Sequence, residues 1–238
     1  DKIQHHMDEL ARMDSYRRES IANVSHDLRT PLSSIQGYIE TVLMKNDSLS
    51  AAERQQYLQI ILDSTMKLNK LVQELFELSR LEAKQTLPHQ ESFSLPELVQ
   101  DVTQKFQPQA DKLGITLKTN FATDLPVVCA DIGMIERVLQ NLIENALKFT
   151  PSNGRVDLTL ERVDSKIFVK VSDTGCGIPS DEVPHILDRF YRARSSHSRG
   201  DAAGLGLAIV KKILELHGEK IHVESRENLG TTFSFYLA

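Results

Sequence analysis

His26 and Asp27 are neighbours, and Thr30 follows at helical spacing, within the stretch NVSHDLRTPL. An imidazole attacks phosphorus through one ring nitrogen when the other carries the proton. Asp27 is placed to hold that proton and raise the nucleophilicity of the ring. At about 100° per residue, Ile21, Val24, Leu28, Leu32 and Ile35 gather on one side of a helix, and His26 points roughly 160° away from them. The spacing therefore predicts a solvent-facing imidazole with Thr30 on the same face. Pro31 lacks an N–H and crowds the carbonyl four residues back, so the helix is expected to bend or loosen beside His26. Taken alone, the same pattern also describes a surface histidine on a coiled coil.

A second group lies in NLIENALKFT, where Asn141, Asn145 and Lys148 share one helical face. Ile135, Val138, Leu142, Ala146 and Phe149 are expected on the opposite, packed side. An amide oxygen is a hard ligand suited to Mg²⁺, which also takes waters and substrate phosphates, and a lysine in line with it can meet a phosphate. An ordinary solvated helix face has the same composition. In DTGCGIP, Asp173 ends an alternating strand, and Gly175 and Gly177 let the backbone turn tightly against a ligand. A carboxylate there can accept from the exocyclic amine of a base. DAAGLGLAIV sets Gly204 and Gly206 before a helix, whose free N–H groups attract phosphate. Together these pieces ask for one ligand with a base, a phosphate chain and a metal ion.

The elements that must position these residues change character along the chain. Tyr57, Ile61, Ser64, Leu68, Leu71, Leu75 and Leu78 form a heptad seam with one polar step. With the histidine helix and the polar KNDSLS stretch between them, this predicts an antiparallel hairpin. One hairpin buries little surface, and two buried face to face make a four-helix bundle, so a homodimer is expected. Beyond SRLEAKQTLPHQ the pattern becomes strands and helices in turn: ESFSL, a helix from Pro96 to Gly114, ITLKTNF, PVVCA, the Asn141 helix, the hairpin RVDLTLERVDSKIFVKVSDTG, a helix ending at Gly218, and two closing strands. This is an α+β sandwich, a sheet covered on one face by helices. The expected division is residues 1–86, with 1–20 as an incoming helix, and residues 87–238, with a hinge near 83–91.

Composition is that of an ordinary globular chain: 238 residues, 40% hydrophobic and 26% charged, with a net charge of -5 that does not favour nucleic acid. Cys129 and Cys176 are far apart and form neither a disulfide framework nor a zinc motif; Cys176 reads as a packing residue. No apolar run spans a bilayer. The chain begins at Asp1, and any membrane segment is expected to lie outside this sequence, which places these residues in the cytoplasm.

The ordered motifs resemble the catalytic core of the sensor histidine kinases of bacterial two-component systems. SHDLRTPL resembles the phospho-acceptor box, and NLIENALKFT, DTGCGIP, DRFYRA and GLGLAIV resemble the boxes of the Bergerat-type ATP-binding domain. The resemblance implies the fold class α + α/β: a helical hairpin forming a dimeric four-helix bundle, then a Bergerat-type sandwich. It implies ATP-dependent autophosphorylation of His26, assisted by Asp27, and transfer to the receiver domain of a response regulator. Thr30 matches the position that orients water when the partner is dephosphorylated. Asn145 would ligate Mg²⁺ with Asn141 close by, Lys148 would reach phosphate, and Phe149 would lie at the nucleotide. Asp173 would read the adenine amine, and Arg192 would approach the terminal phosphate. Gly175, Gly177, Ile178, Gly204, Leu205 and Gly206 complete the ATP-binding set. The chain departs from the pattern at Leu187, where a phenylalanine is frequent, and at Ala202 and Ala203, where a glycine and a hydroxyl residue are frequent. The polar stretch from Arg192 to Ala203 is expected to be a mobile lid.

Overall fold

The structure, a computed structural model, describes residues 24–45, 48–83, 85–191 and 204–238. The chain divides into two compact units, Asp1–Phe76 and Glu77–Ala238. This division falls inside a helix, ahead of the 83–91 segment expected to act as a hinge.

The first unit is a helical hairpin. Helix α1 occupies 24–44 and passes through Pro31 unbroken. Helix α2, Ala51–Glu82, starts on a reciprocal cap. Ser50 N–H donates to Glu53 Oε2 at 2.9 Å, and Glu53 N–H donates to Ser50 Oγ at 3.2 Å, so two helix-end donors are satisfied by one Ser/Glu pair. Within the unit the rings of Tyr38 and Tyr57 lie 5.4 Å apart, and Ser64 Oγ donates to Ser34 Oγ at 3.4 Å. The heptad seam is the covered side: Ser64 and Leu71 are buried, and Tyr57, Ile61, Leu68 and Leu75 are half-buried. On α1 the expected apolar stripe is covered only in part. Val24, Leu28 and Ile35 are half-buried, but Leu32 is 55% exposed and Ile39 42%.

The second unit holds a five-stranded sheet in the order β2-β4-β5-β7-β6 and a separate pair, β1-β3. The small pair joins Glu91–Phe93 to Val128–Ala130 antiparallel. The main strands are β2 (Thr116–Phe121), β4 (Arg155–Val163), β5 (Lys166–Asp173), β6 (His222–Arg226) and β7 (Gly230–Leu237). All their pairings are antiparallel except β2 with β4. Alternation sends Val156, Leu158 and Leu160 of β4, and Ile167, Val169 and Val171 of β5, into one buried face. Helices α3 (Leu95–Leu113) and α4 (Ile132–Phe149) lie against the sheet, and α5 (Gly206–Leu216) packs on α4. Helix α3 opens with proline in its first turn and closes on Gly114 at φ 68°, the left-handed conformation that glycine adopts without a Cβ penalty. A short 3₁₀ turn, Val183–His185, had no sequence signal.

Helix α4 corrects the sequence reading. It was expected to pack by one side and show its amides on the other. In the structure Ile135, Val138, Leu139, Leu142, Ile143, Ala146 and Leu147 are all buried, and so is Asn141. The helix lies between the sheet, α3 and α5, so most of its circumference is covered. The apolar residues named from the sequence are centred about 100° from Asn141, beside it rather than opposite it.

Asp131 anchors the start of α4. Its Oδ1 accepts from Met134 N–H at 3.0 Å, and its Oδ2 accepts from His89 N–H at 2.9 Å. Its own N–H donates to His217 Nε2 at 3.1 Å, while His217 Nδ1 meets the Ile213 carbonyl at 2.8 Å. A carbonyl can only accept, so Nδ1 carries the proton and Nε2 is the acceptor. One aspartate and one neutral histidine thus join the start of α4 to the end of α5. Asp131→Ala should lower stability by about 1–2 kcal/mol, the cost of a lost N-cap, and Asp131→Asn by less; urea denaturation of the two variants checks this.

Candidate functional site

In the first unit, the exposure inferred for His26 is found: its side chain is 76% exposed. His26 Nδ1 lies 3.3 Å from Asp27 Oδ1. When the carboxylate accepts, Nδ1 holds the proton and Nε2 keeps its lone pair toward solvent. Thr30 Oγ1 donates to the His26 carbonyl at 3.1 Å, so its proton is directed at the backbone and its lone pairs are what it offers outward. His26, Asp27 and Thr30 therefore sit on one turn of α1, with His26 and Thr30 exposed and Asp27 half-buried.

In the second unit, the end of β5 and the start of α5 bring the other residues together. Asp173 accepts from Gly175 N–H at 2.8 Å and from the Thr231 backbone N–H. Burial pushes its carboxyl above the usual aspartate range, and the two N–H donors oppose that shift without cancelling it. An acceptor held part-buried, with no cation acting on it among the described residues, suits a neutral donor such as an amine. Gly175 has no room for a side chain, since a Cβ would stand 2.6 Å from the Phe149 carbonyl and 2.7 Å from Asp173 Oδ1. Gly177, at φ 66°, is pressed against the Arg226 carbonyl. Ile178 is half-buried, and its N–H donates to Ser225 Oγ at 2.8 Å.

Asn141 is buried, and among the described residues its Nδ2 is the one buried side-chain polar atom with no hydrogen-bond partner. A buried donor left unmade costs roughly 1–3 kcal/mol, so this amide fits a site that receives acceptor oxygens from a ligand. Gly206, the first residue of α5, faces it: a Cβ there would lie 3.2 Å from Asn141 Oδ1. Asn145 is half-buried one turn further on. Lys148 Nζ lies 5.3 Å from the centre of the Phe149 ring. Gly204 adopts φ 67°, and a Cβ there would stand 2.6 Å from the Tyr191 carbonyl. Leu205 is fully buried, so it anchors the turn before α5 instead of facing a ligand. The amide pair, the start of α5 without a side-chain cap and the part-buried carboxylate fit a magnesium–nucleotide. Among the described residues no cluster of three or more His, Cys, Asp or Glu would hold a metal. Arg192 and the expected lid, through Ala203, lie outside the described residues.

Sequence reasoning missed the hairpin of β6 and β7 as part of this site. Asn228 N–H donates to the Cys176 carbonyl at 2.7 Å, and Ser225 and Thr231 reach Ile178 and Asp173. Their place follows from sheet register, in which Asp173 faces Thr231 across β5 and β7. The glycine and threonines after the ENLG turn were the available signal.

A helical hairpin carrying an exposed histidine, followed by an α+β unit with a candidate nucleotide site, has the organisation of a histidine kinase core. The family model of the His Kinase A (phospho-acceptor) domain matches residues 16–84, and that of the histidine kinase-, DNA gyrase B- and HSP90-like ATPases matches residues 130–238. The chain belongs to the sensor histidine kinases. It is 35% identical over 228 residues to the sensor protein SrrB of Staphylococcus aureus, covering 94% of this chain and 38% of that relative. It is similar to the histidine kinase ThkA solved in complex with the response regulator TrrA, with a TM-score of 0.75 and 29% identity over 99% of this chain and 65% of that one. Full-length ShkA in complex with AMPPNP matches with a TM-score of 0.69 and 28% identity, over 92% of this chain and 45% of that one.

The raised Asp173 pKa gives a stability test. The folded state holds the proton more tightly than the unfolded chain, whose aspartate titrates near about 3.9. The favourable contribution of the neutral carboxyl is therefore full below that value and is lost as pH rises through the higher folded one. Compared with Asp173→Asn, the ligand-free wild type should lose stability progressively above about pH 4; denaturant midpoints of both proteins across pH measure the difference.

Proposed function

We propose that this protein phosphorylates itself on His26 with ATP and passes the phosphoryl group to an aspartate of a response-regulator receiver domain. The observation that carries the reading is the joint presence of an exposed imidazole with a carboxylate at Nδ1 and a buried, uncompensated amide and carboxylate pair. The first is a nucleophile with its proton parked; the second is a socket for the amine and oxygens of an adenine nucleotide. In the transfer, a bond forms between Nε2 and the terminal phosphorus while the bond to the ADP oxygen breaks, and the electron pair leaves on ADP. The positive charge that develops on the ring is relieved through the Nδ1 proton shared with Asp27. Phosphoryl transfer asks the protein for positioning and charge neutralisation above all, which is what these residues offer.

Asn145 would hold a magnesium ion, with Asn141 beside it, and the ion would neutralise phosphate charge. Lys148 and Arg192 would meet phosphate oxygens, and Phe149 and Ile178 would border the nucleotide. ThkA is solved with a response regulator and ShkA with AMPPNP, which supports a receiver-domain partner and ATP as phosphoryl donor. Thr30, on the turn of His26 with its lone pairs outward, favours a second activity, dephosphorylation of the same partner.

The exposed Leu32, Leu43, Leu62 and Met66 of the hairpin support a homodimer joined as a four-helix bundle. The chain would act as a phosphotransfer domain, residues 1–86, and an ATP-binding domain, residues 87–238. It would form the cytoplasmic part of a larger sensor; no described helix is long and apolar enough to cross a membrane.

Incubation with γ-labelled ATP and Mg²⁺ should place acid-labile, base-stable label on the wild type and none on His26→Gln. Asn145→Ala should lose label while its denaturation midpoint stays close to wild type. Label that persists on His26→Gln would remove His26 as the acceptor.

A further inference from the structure

The last turns of α2 belong to the second unit and carry two carboxylates, each held by an arginine of that unit. Arg137 Nε donates to Glu77 Oε2 at 3.1 Å and to Oε1 at 3.3 Å, and Arg137 Nη2 lies 3.0 Å from Oε2. Both side chains are half-buried, and a guanidinium fork on a carboxylate fixes direction as well as distance. Glu82 pairs with Arg189. Leu78 and Leu81, which lie between them in sequence, are buried. At about 100° per residue these four positions fall on one face of α2. That face is therefore fastened to the second unit at two points.

Each fastening point leads to a piece of the candidate phosphate site. Arg137 lies on α4 one turn before Asn141, whose Nδ2 has no partner among the described residues. Arg189 precedes Phe190, which adopts φ 59°. A residue with a bulky side chain keeps that left-handed backbone only where its surroundings hold it. Here Phe190 is buried, and its N–H donates to the Gly204 carbonyl at 3.1 Å. Gly204 in turn, at φ 67°, has no room for a Cβ beside the Tyr191 carbonyl. It leads through buried Leu205 into Gly206, which faces Asn141. One carboxylate of α2 thus acts on the helix that holds Asn141, and the other on the turn that sets Gly206 against it.

We infer that Glu77 and Glu82 are positioning residues for the nucleotide: the end of α2 braces α4 and the turn before α5, and nucleotide affinity depends on that brace. The inference rests on the adenine-nucleotide reading above. Each carboxylate acts through its arginine. Coupling of this kind is reciprocal, so a bound nucleotide steadies the end of α2 by as much as the brace favours the nucleotide. Helix α2 starts in the first unit and ends in the second, so its last turns are the covalent route by which a change in the hairpin would reach that affinity.

The test is equilibrium binding of ADP with Mg²⁺, measured by calorimetry on the full chain; a diphosphate avoids turnover. Glu77→Gln combined with Glu82→Gln should weaken ADP by about threefold to tenfold, the effect of two partly exposed ion pairs. Arg189→Glu alone should weaken it as well, and adding Glu82→Arg should bring affinity back to within about twofold of wild type. ADP should also slow amide exchange over residues 77–83 of the wild type and leave it unchanged in the double glutamine variant, which a merely structural pair of contacts would not do. If the double glutamine variant does not fold, the Arg189→Glu variant and its charge swap still report the brace. Three results would each overturn the inference alone: wild-type affinity in the folded double glutamine variant, a charge swap that leaves the loss in place, or wild-type exchange over 77–83 that ADP does not change. Failure of wild type to bind ADP would overturn the nucleotide reading and the inference with it.

Discussion

A carboxylate kept part-buried and held by backbone N–H groups is the constraint around which the second unit is arranged. Asp173 sits at the end of β5, and burial disfavours its charge. Two backbone N–H groups hold it, one from Gly175 just beyond the strand and one from Thr231 across the sheet. Each donor imposes a shape. The first needs a turn so tight that Gly175 cannot carry a Cβ. The second needs β7 to reach the end of β5 in exact register, which brings the β6–β7 turn against the Gly177 loop. The residues that fix the carboxylate are therefore the same ones that shape the walls beside it.

The buried amide of Asn141, whose Nδ2 has no partner among the described residues, is the counterpart on helix α4. Helix α4 is buried nearly all round, so Asn141 cannot reach water, and the first residue of α5 closes over it because Gly206 has no side chain. A packed helix that keeps a polar donor unmade is less stable for it. The proposed function would account for the choice, since the donor would be met by oxygens of a bound nucleotide. The Asp131–His217 junction joins the start of α4 to the end of α5, so the helices that carry Asn141 and Gly206 are linked there as well.

His26, the proposed nucleophile, follows the opposite rule. Helix α1 leaves its imidazole uncovered while Asp27 lies at its Nδ1. The proposed reaction would thus divide between a side chain that gives up burial and a socket that gives up some stability.

Much of this was legible in the sequence. Periodicity placed the hairpin, α3, α5 and each strand of the sheet, and a wheel sufficed to turn His26 outward, because each is a local property of spacing and backbone geometry. The Asp173 and glycine positions were legible because a turn of that tightness excludes other residues. What the sequence could not decide depended on distant segments coming together. Asn141 shared the spacing of an exposed face and is buried because α5 covers it. Ser225 and Thr231 lie far along the chain from Asp173 and join it through strand register alone. The compact division inside α2 likewise comes from its last turns: Leu78 and Leu81 are buried, Glu77 pairs with Arg137 at 3.0 Å, and Glu82 pairs with Arg189. Local geometry was determined by neighbours in sequence; burial and register were decided by tertiary structure, because each is set by atoms that only folding brings within reach.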